Sequence, residues 1–375
     1  MSTARFIFDT ARRSADLYYA TRLATPDPFI YFEINRKKYI VIKDTDIVQA
    51  KKSARVHKVL SLSHYSKKAE KRFKKPSQID ILDTIFKEFR VKKLEIPPDS
   101  PFDFIDQLRK RHYKIIVGDI PLYPERTLKT KEEKKFITDA QKTVFTAMGL
   151  AEKALRSTTI RKNLLYYKGK PFKCEDLRSI INVELLSRGY LVPEGTIVSC
   201  AKNSFNIHAT DMGLLRPHEP IIIDIFPRSM SSLYCGDATR SFCVGKAPDK
   251  LKKMHAAVKA SQEHAIKNIR HGVNGKDIHA GVHKVLESYG YKTGETAGLM
   301  QGFVHSTGHG VGIEIHDVPI RIGPVDEILK TGMVVSVEPG LYYKSIGGVR
   351  IEDLVYVTKN GCEILGRFHK RLEIL

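Results

Sequence analysis

The sequence has no tryptophan among its 375 residues and only five cysteines, at positions 174, 200, 235, 243 and 362. No two of these form a Cys-x-x-Cys pair and their number is odd. That argues against a disulfide framework or a thiolate zinc site and suits a reducing compartment. Long apolar runs are missing too: Pro220 is followed by just three isoleucines, Ile221 to Ile223, far short of the roughly 20 residues that cross a bilayer. At the N-terminus Arg5, Asp9, Arg12 and Arg13 interrupt the apolar residues, so the core of a secretion signal is lacking. These absences lead us to expect a cytoplasmic chain without membrane association.

Acid is also scarce, with 42 Asp and Glu against 63 Lys and Arg, a net charge of +21. Residues 1–130 hold 28 of the bases and 16 of the acids, so the N-terminal third is the more basic per residue. Between Lys51 and Lys75 there are ten Lys or Arg and one acid, Glu70. A nucleic-acid surface is the tempting reading. Only Tyr65 and Phe73 interleave there, too few for a stacking platform, and a solvated face is expected instead.

The length suits two domains rather than one, and the 42% apolar and 28% charged content is that of globular proteins. Residues 1–125 read as a small α/β domain. Strands are expected at Phe29–Phe32 and Tyr39–Lys43 around a turn Glu33–Arg36, a helix at 79–90 and a strand at Tyr113–Val117. Pro121, Pro124 and a charged stretch follow as a linker. A second domain, 126–375, opens on a helix whose start is marked by Thr130 and Glu133 at capping-box spacing, with an apolar stripe from Ile137 to Ala154. Helices are then expected at about 175–188, 249–270 and 276–289. Two helices followed by strands, twice over, imply two related halves and a mixed α/β (α+β) class.

Four carboxylates and a cluster of histidines in the second domain have ligand chemistry. Asp224 ends the run Pro220-Ile-Ile-Ile, where a carboxylate is costly to bury unless it meets a cation. Asp237 follows thirteen residues later, after a polar loop short enough for a hairpin to bring both carboxylates together. Gly302 to Asp317 packs His305, His309 and His316 among glycines that let backbone approach a bound group. Glu338 and Glu352 lie in apolar strands, and strand alternation sets Arg350 on the same face as Glu352. Four carboxylates and one neutral imidazole balance two divalent cations. Such an oxygen-rich set favours Mn²⁺ or Mg²⁺, with Co²⁺, Fe²⁺ and Zn²⁺ as alternatives. Two ions about 3.5–4 Å apart acidify a shared water and polarise a carbonyl.

In order, Ile223-Asp224, Asp237-Ala-Thr-Arg, His309-Gly-Val-Gly with His316 seven residues on, Glu338-Pro-Gly-Leu-Tyr and Arg350-Ile-Glu352-Asp resemble the motifs of the creatinase/prolidase/methionine aminopeptidase family. The resemblance covers about residues 128–375. It implies a pita-bread catalytic domain of two pseudo-symmetric halves, and 1–125 more loosely resemble the family's creatinase-type N-terminal domain. It further implies that Asp224 chelates one metal, Asp237 and Glu352 bridge both, and His309 and Glu338 complete the other. Glu338 is then the proton shuttle and His316 the group that stabilises the tetrahedral intermediate. His208 matches a histidine contacting substrate near the scissile bond, and His305 and Arg350 match the proline side of the pocket. The interval from Asp224 to Asp237 is two residues longer than in the commonest members, which places the difference in the Pro227–Leu233 loop.

The N-terminal domain and His316-Asp317 resemble proline-specific members rather than methionine aminopeptidases. The expected activity is therefore hydrolysis of Xaa-Pro dipeptides or short peptides by a Mn²⁺-dependent homodimer. The alternatives are an aminopeptidase P acting on Xaa-Pro-Xaa peptides and a non-catalytic scaffold that binds protein or nucleic acid.

Overall fold

The computed structural model describes residues 2–207, 209–210, 212–317 and 320–375. It divides into two compact units, Met1–Arg126 and Thr127–Leu375.

The first unit runs β1 (Ser2–Asp9), α1 (Ala15–Thr21), β2 (Phe29–Ile34), β3 (Lys37–Ile42), α2 (Ile47–Ser53), β4 (Lys58–Ser61), α3 (Leu62–Glu70), α4 (Gln78–Glu88), β5 (Val91–Ile96), α5 (Phe102–Lys110) and β6 (Lys114–Val117). Its strands form one sheet in the order β4-β3-β2-β1-β5-β6. Because side chains alternate along a strand, β1 and β2 feed two cores. Ala4, Phe6, Ile30 and Phe32 pack with Leu82, Ile85 and Phe86 of α4, while Ile7, Phe29 and Tyr31 pack with Leu17 and Ala20 of α1. The β2–β3 turn is tighter than the sequence suggests. Glu33 and Ile34 still pair with Lys38 and Lys37, and only Asn35 and Arg36 turn, both at positive φ, the geometry that matches strand twist in a two-residue hairpin.

The second unit contains two halves of the same plan. In the first, α6 (Lys131–Arg156) and α7 (Cys174–Ser187) lie against strands Ile197–Cys200, Ile221–Ile225, Ala238–Val244 and Glu373–Ile374. Val144, Ala147, Ala151, Leu177, Ile181 and Leu185 meet Val198, Ile223 and Phe242 there. Both bonds of the Thr130–Glu133 capping box are made, satisfying two N-terminal donors of α6 that would otherwise lack partners. In the second half, α8 (Asp249–Asn268) and α9 (Gly275–Ser288) lie over Val334–Val337, Asp353–Val357 and Cys362–Ile364. Met254, Val258, Val282 and Leu286 pack there with Val335, Val337 and Val355. The loop after Asp224 is ordered by a short ribbon, with Ser229 pairing to Tyr190 and Arg228 to Leu191.

Candidate metal centre

In the first half, Thr239 lies opposite Asp224 and Ala238 opposite Ile225 in an antiparallel pair. Asp237, two residues before Thr239, shares its face, so the hairpin delivers both carboxylates to one side. Both are buried. Gln141 of α6 fixes the Asp237 backbone, its Nε2 donating to the Asp237 carbonyl and its Oε1 accepting from the Asp237 N–H, each at 2.8 Å.

In the second half, His309 ends a two-residue strand and Glu338 follows Val337. Ser336 links them: its Oγ accepts from the His309 N–H at 3.0 Å and donates to Glu338 Oε1 at 3.1 Å. Gly308 lies so close to the Ser336 backbone that an added β-carbon would meet the Ser336 carbonyl oxygen at 1.9 Å. His309 Nδ1 is 3.1 Å from the Gly310 carbonyl, which sets the tautomer with Nδ1–H donating and leaves Nε2 for a ligand. Nε2 stands 3.2 Å from Glu338 Oε1 and 3.6 Å from Asp237 Oδ2. Glu352 completes the group. Its N–H donates to the Thr239 carbonyl at 3.0 Å, and Thr239 Oγ1 donates to its Oε2 at 2.8 Å. Ligand atoms of Asp237, His309 and Glu352 all lie within 4.8 Å of one another.

So much buried anionic charge perturbs every member. Burial, then the charges of Glu352, Asp224 and Glu338, pushes Asp237 well above the usual carboxylate range. Burial, then Glu338 and Asp224, does the same to Glu352. Burial also raises Asp224 against the opposing pull of Arg350. Burial acts upward on Glu338 as well, but the hydrogen bond and charge of His309 outweigh it and hold the carboxyl down to about 2. Asp224 Oδ1 is buried with no hydrogen-bond partner. Uncompensated carboxylates at this depth are costly, and a cation removes the cost. The unpartnered oxygen, the turned imidazole and the hard-oxygen donor set therefore fit divalent metal.

Arg350 lies beside Asp224. Its Nη2 donates to Asp224 Oδ2 at 2.7 Å, its Nη1 to the Tyr342 hydroxyl at 2.6 Å and its Nε to Thr239 Oγ1 at 3.2 Å. Val349 and Ile351 point the other way, into the core of the second half. One cleft is lined by Asp224, Asp237, His309, Glu338, Glu352 and Arg350 together with Ile197, Ile207, Phe226 and Ile315, and by Glu194, Thr210 and His316. The His316 ring centre is 4.3 Å from that of His309. His305 joins the network one bond further out, its Nε2 lying 3.1 Å from the Tyr342 hydroxyl. His208 lies outside the described residues. Sequence reasoning assigned no role to Thr239, Ser336 or Tyr342. A period-two count from Asp237 reaches Thr239 and one back from Glu338 reaches Ser336. The pairing of Tyr342 with Gly348 makes it a diagonal neighbour of Arg350.

Residues 142–359, over half of the chain, match the metallopeptidase family M24. A Xaa-Pro dipeptidase of Pyrococcus horikoshii is 28% identical over 303 residues, 78% of each chain. Among solved structures, an X-Pro aminopeptidase from Thermotoga maritima superposes with a TM-score of 0.83 at 22% identity over 100% of this chain and 98% of its own. The prolidase from Pyrococcus horikoshii gives 0.79 at 24% over 99% and 95%. These two likenesses establish the shared fold. The ordered motifs and the length of the family match lead to one conclusion: the chain belongs to metallopeptidase family M24, in its creatinase/prolidase branch.

Proposed function

We propose that the chain is a dinuclear metal-dependent exopeptidase that hydrolyses the Xaa-Pro bond of dipeptides or short peptides. The observation that carries this reading is the buried carboxylate–imidazole cluster with its unpartnered Asp224 oxygen. Asp224 would hold one ion, His309 and Glu338 the other, and Asp237 and Glu352 both, with Mn²⁺ as the assigned metal. Bound there, two divalent ions supply an acidified water and polarise the scissile carbonyl.

The chain's own groups do the rest. Glu338 Oε1 is engaged by Ser336, so Oε2 is the atom we assign to take the water's proton and pass it to the leaving nitrogen. His316, on the cleft wall, would donate to the oxyanion of the tetrahedral intermediate. We assign His208 and His305 to substrate contacts. Arg350 commits three donors to Thr239, Tyr342 and Asp224. A guanidinium has five N–H bonds, and the two remaining are those we assign to the proline carboxylate. The apolar walls Ile197, Ile207, Phe226 and Ile315 suit the substrate's side chains.

The same proposal assigns 1–125 as a creatinase-like N-terminal domain and 126–375 as the catalytic domain, acting as a cytoplasmic homodimer on short proline-containing peptides. The odd number and scattered placement of the five cysteines support the compartment. Among the described residues no helix is long and apolar enough to cross a membrane. The similarity to the Thermotoga aminopeptidase favours a second reading, cleavage of longer Xaa-Pro-Xaa peptides. Matched hydrolysis of Xaa-Pro and Xaa-Pro-Xaa substrates with added Mn²⁺ decides. Preference for the dipeptide supports the first reading, preference for the longer peptide replaces it with the second, and inactivity on both overturns the function.

A further inference from the structure

Lys129 and Asp317 are 188 residues apart, and each side chain is 1% exposed. Lys129 Nζ donates to Asp317 Oδ2 at 2.7 Å, while the Lys129 backbone N–H donates to the Gly332 carbonyl at 2.7 Å. The ammonium is therefore anchored at its root as well as its tip. Asp317 directly follows His316, and its own N–H closes a loop onto the Gly310 carbonyl at 2.7 Å.

The loop is moulded around the ion pair. A β-carbon at Gly312 would lie 2.0 Å from Asp317 Oδ2 and 3.0 Å from Lys129 Nζ, so glycine is what lets the backbone pass so close. Another part of the loop meets the segment that carries Asp237. The Cys235 N–H donates to the Gly312 carbonyl at 2.8 Å, and Cys235 Sγ lies 3.6 Å from the Ile313 carbonyl. His316 leaves this loop with its ring 4.3 Å from His309. A buried ion pair is a poor way to gain stability, because apolar residues of equal volume serve as well or better. What it supplies is an anchor, since either charge separated from the other at this depth would be left uncompensated.

We propose that Lys129 is a positioning residue for His316: through Asp317 it fixes the 310–317 loop, and with it the angle at which the imidazole faces the reacting carbonyl. This rests on the reading of His316 given above. Lys129 touches neither substrate nor metal in this scheme. Its effect is on turnover rather than on metal content or substrate affinity.

The test is a double-mutant cycle on the Mn²⁺-loaded enzyme with an Xaa-Pro dipeptide. The pair is neutralised as Lys129→Met/Asp317→Asn, with and without His316→Ala. The neutralised protein is expected to keep its metal and its KM within about twofold while kcat drops roughly ten- to a hundred-fold, the scale of a misaligned oxyanion donor. In the His316→Ala background the same neutralisation is expected to cost nothing further, because the group being positioned is gone. Lys129→Arg keeps the charge while moving the donors, and covers the case in which the neutralised protein does not fold. Its kcat is expected to fall about three- to tenfold, again only when His316 is present. Hydrogen exchange of the metal-free protein gives a readout independent of activity, with faster exchange expected across 310–317 in either variant. Unchanged kcat in Lys129→Arg and the neutralised variant, or equal losses in both backgrounds, would overturn the proposal alone. A fully active His316→Ala would overturn the reading of His316 and this proposal with it.

Discussion

In the N-terminal unit Lys68 meets Glu88, and Lys43 meets Asp27, with all four side chains more than a third exposed. In the C-terminal unit Lys129 meets Asp317 at 1% exposure on each side, Arg240 meets Asp353 at 2% and 3%, and Arg350 meets Asp224 at 3% and 11%. Solvated pairs contribute little, because water and salt screen them and two long side chains lose freedom. Buried ones are a liability unless every member finds its partner. The N-terminal unit buries one such pair, Arg126 with Asp16 at 3% and 14%; in the second unit Arg350 and Asp224 line the cleft, where one oxygen of Asp224 lacks a hydrogen-bond partner. Depth of charge, rather than amount of charge, separates a surface that keeps a basic chain dissolved from a site that does chemistry. The Lys51–Lys75 stretch carries far more charge than the cleft, yet Lys67, Lys68, Lys71, Lys74 and Lys75 are all exposed.

The sharpest way to break this contrast is to remove a carboxylate proposed to hold both ions. Asp237→Ala and Glu352→Ala are each expected to abolish hydrolysis and empty at least one metal position, measured by elemental analysis beside a chelator-treated control. Full activity in either variant would end the ligand assignment. Glu338→Gln keeps a ligand oxygen but cannot carry a proton. Turnover should fall at least about 10²-fold while some metal remains, and loss of all metal with no separate kinetic effect would reduce Glu338 to a ligand.

Arg350→Lys comes next. If the guanidinium binds the proline carboxylate, Xaa-Pro hydrolysis should drop roughly ten- to a hundred-fold, the worth of a charge-assisted pair at about 1.5–3 kcal/mol, with Xaa-Pro-Xaa hydrolysis much less affected. Equal losses on both substrates would mean that Arg350 acts only by holding Asp224. The smallest effect is also the most direct comparison of the two units. Lys68→Ala should shift unfolding free energy by less than about 0.5 kcal/mol, whereas Lys129→Met alone strands a buried carboxylate and should cost about 3–5 kcal/mol. Denaturant midpoints measure both, and equal shifts would erase the distinction drawn from burial.

Much of this was legible beforehand, for reasons that differ by residue. Thr130 and Glu133 announce the start of α6 because capping is local chemistry, complete within four residues. Asp224 and Asp237 could be paired because a hairpin is nearly local too, and His309, Glu338 and Glu352 stood out as polar groups in apolar or glycine-rich surroundings. Lys129 had no such contrast. It is one of 63 Lys and Arg, in a charged stretch that reads as linker, and its partner is 188 residues away. Periodicity says nothing about which lysine of a basic chain goes inside. The Arg350 fork was aimed correctly by alternation, but its bonds to Tyr342 and Asp224 depend on the pairing register of two separate hairpins. The β2–β3 turn is tighter than expected because Glu33 and Ile34 look equally at home in a strand or a turn, and only their pairing with Lys38 and Lys37 decides.

Gly308 works as a gauge. Because a β-carbon at Gly308 would run into the Ser336 carbonyl, glycine is what lets the backbones that carry His309 and Glu338 approach so closely. A single methyl group at Gly308 would push these two backbones apart, and with them His309 and Glu338.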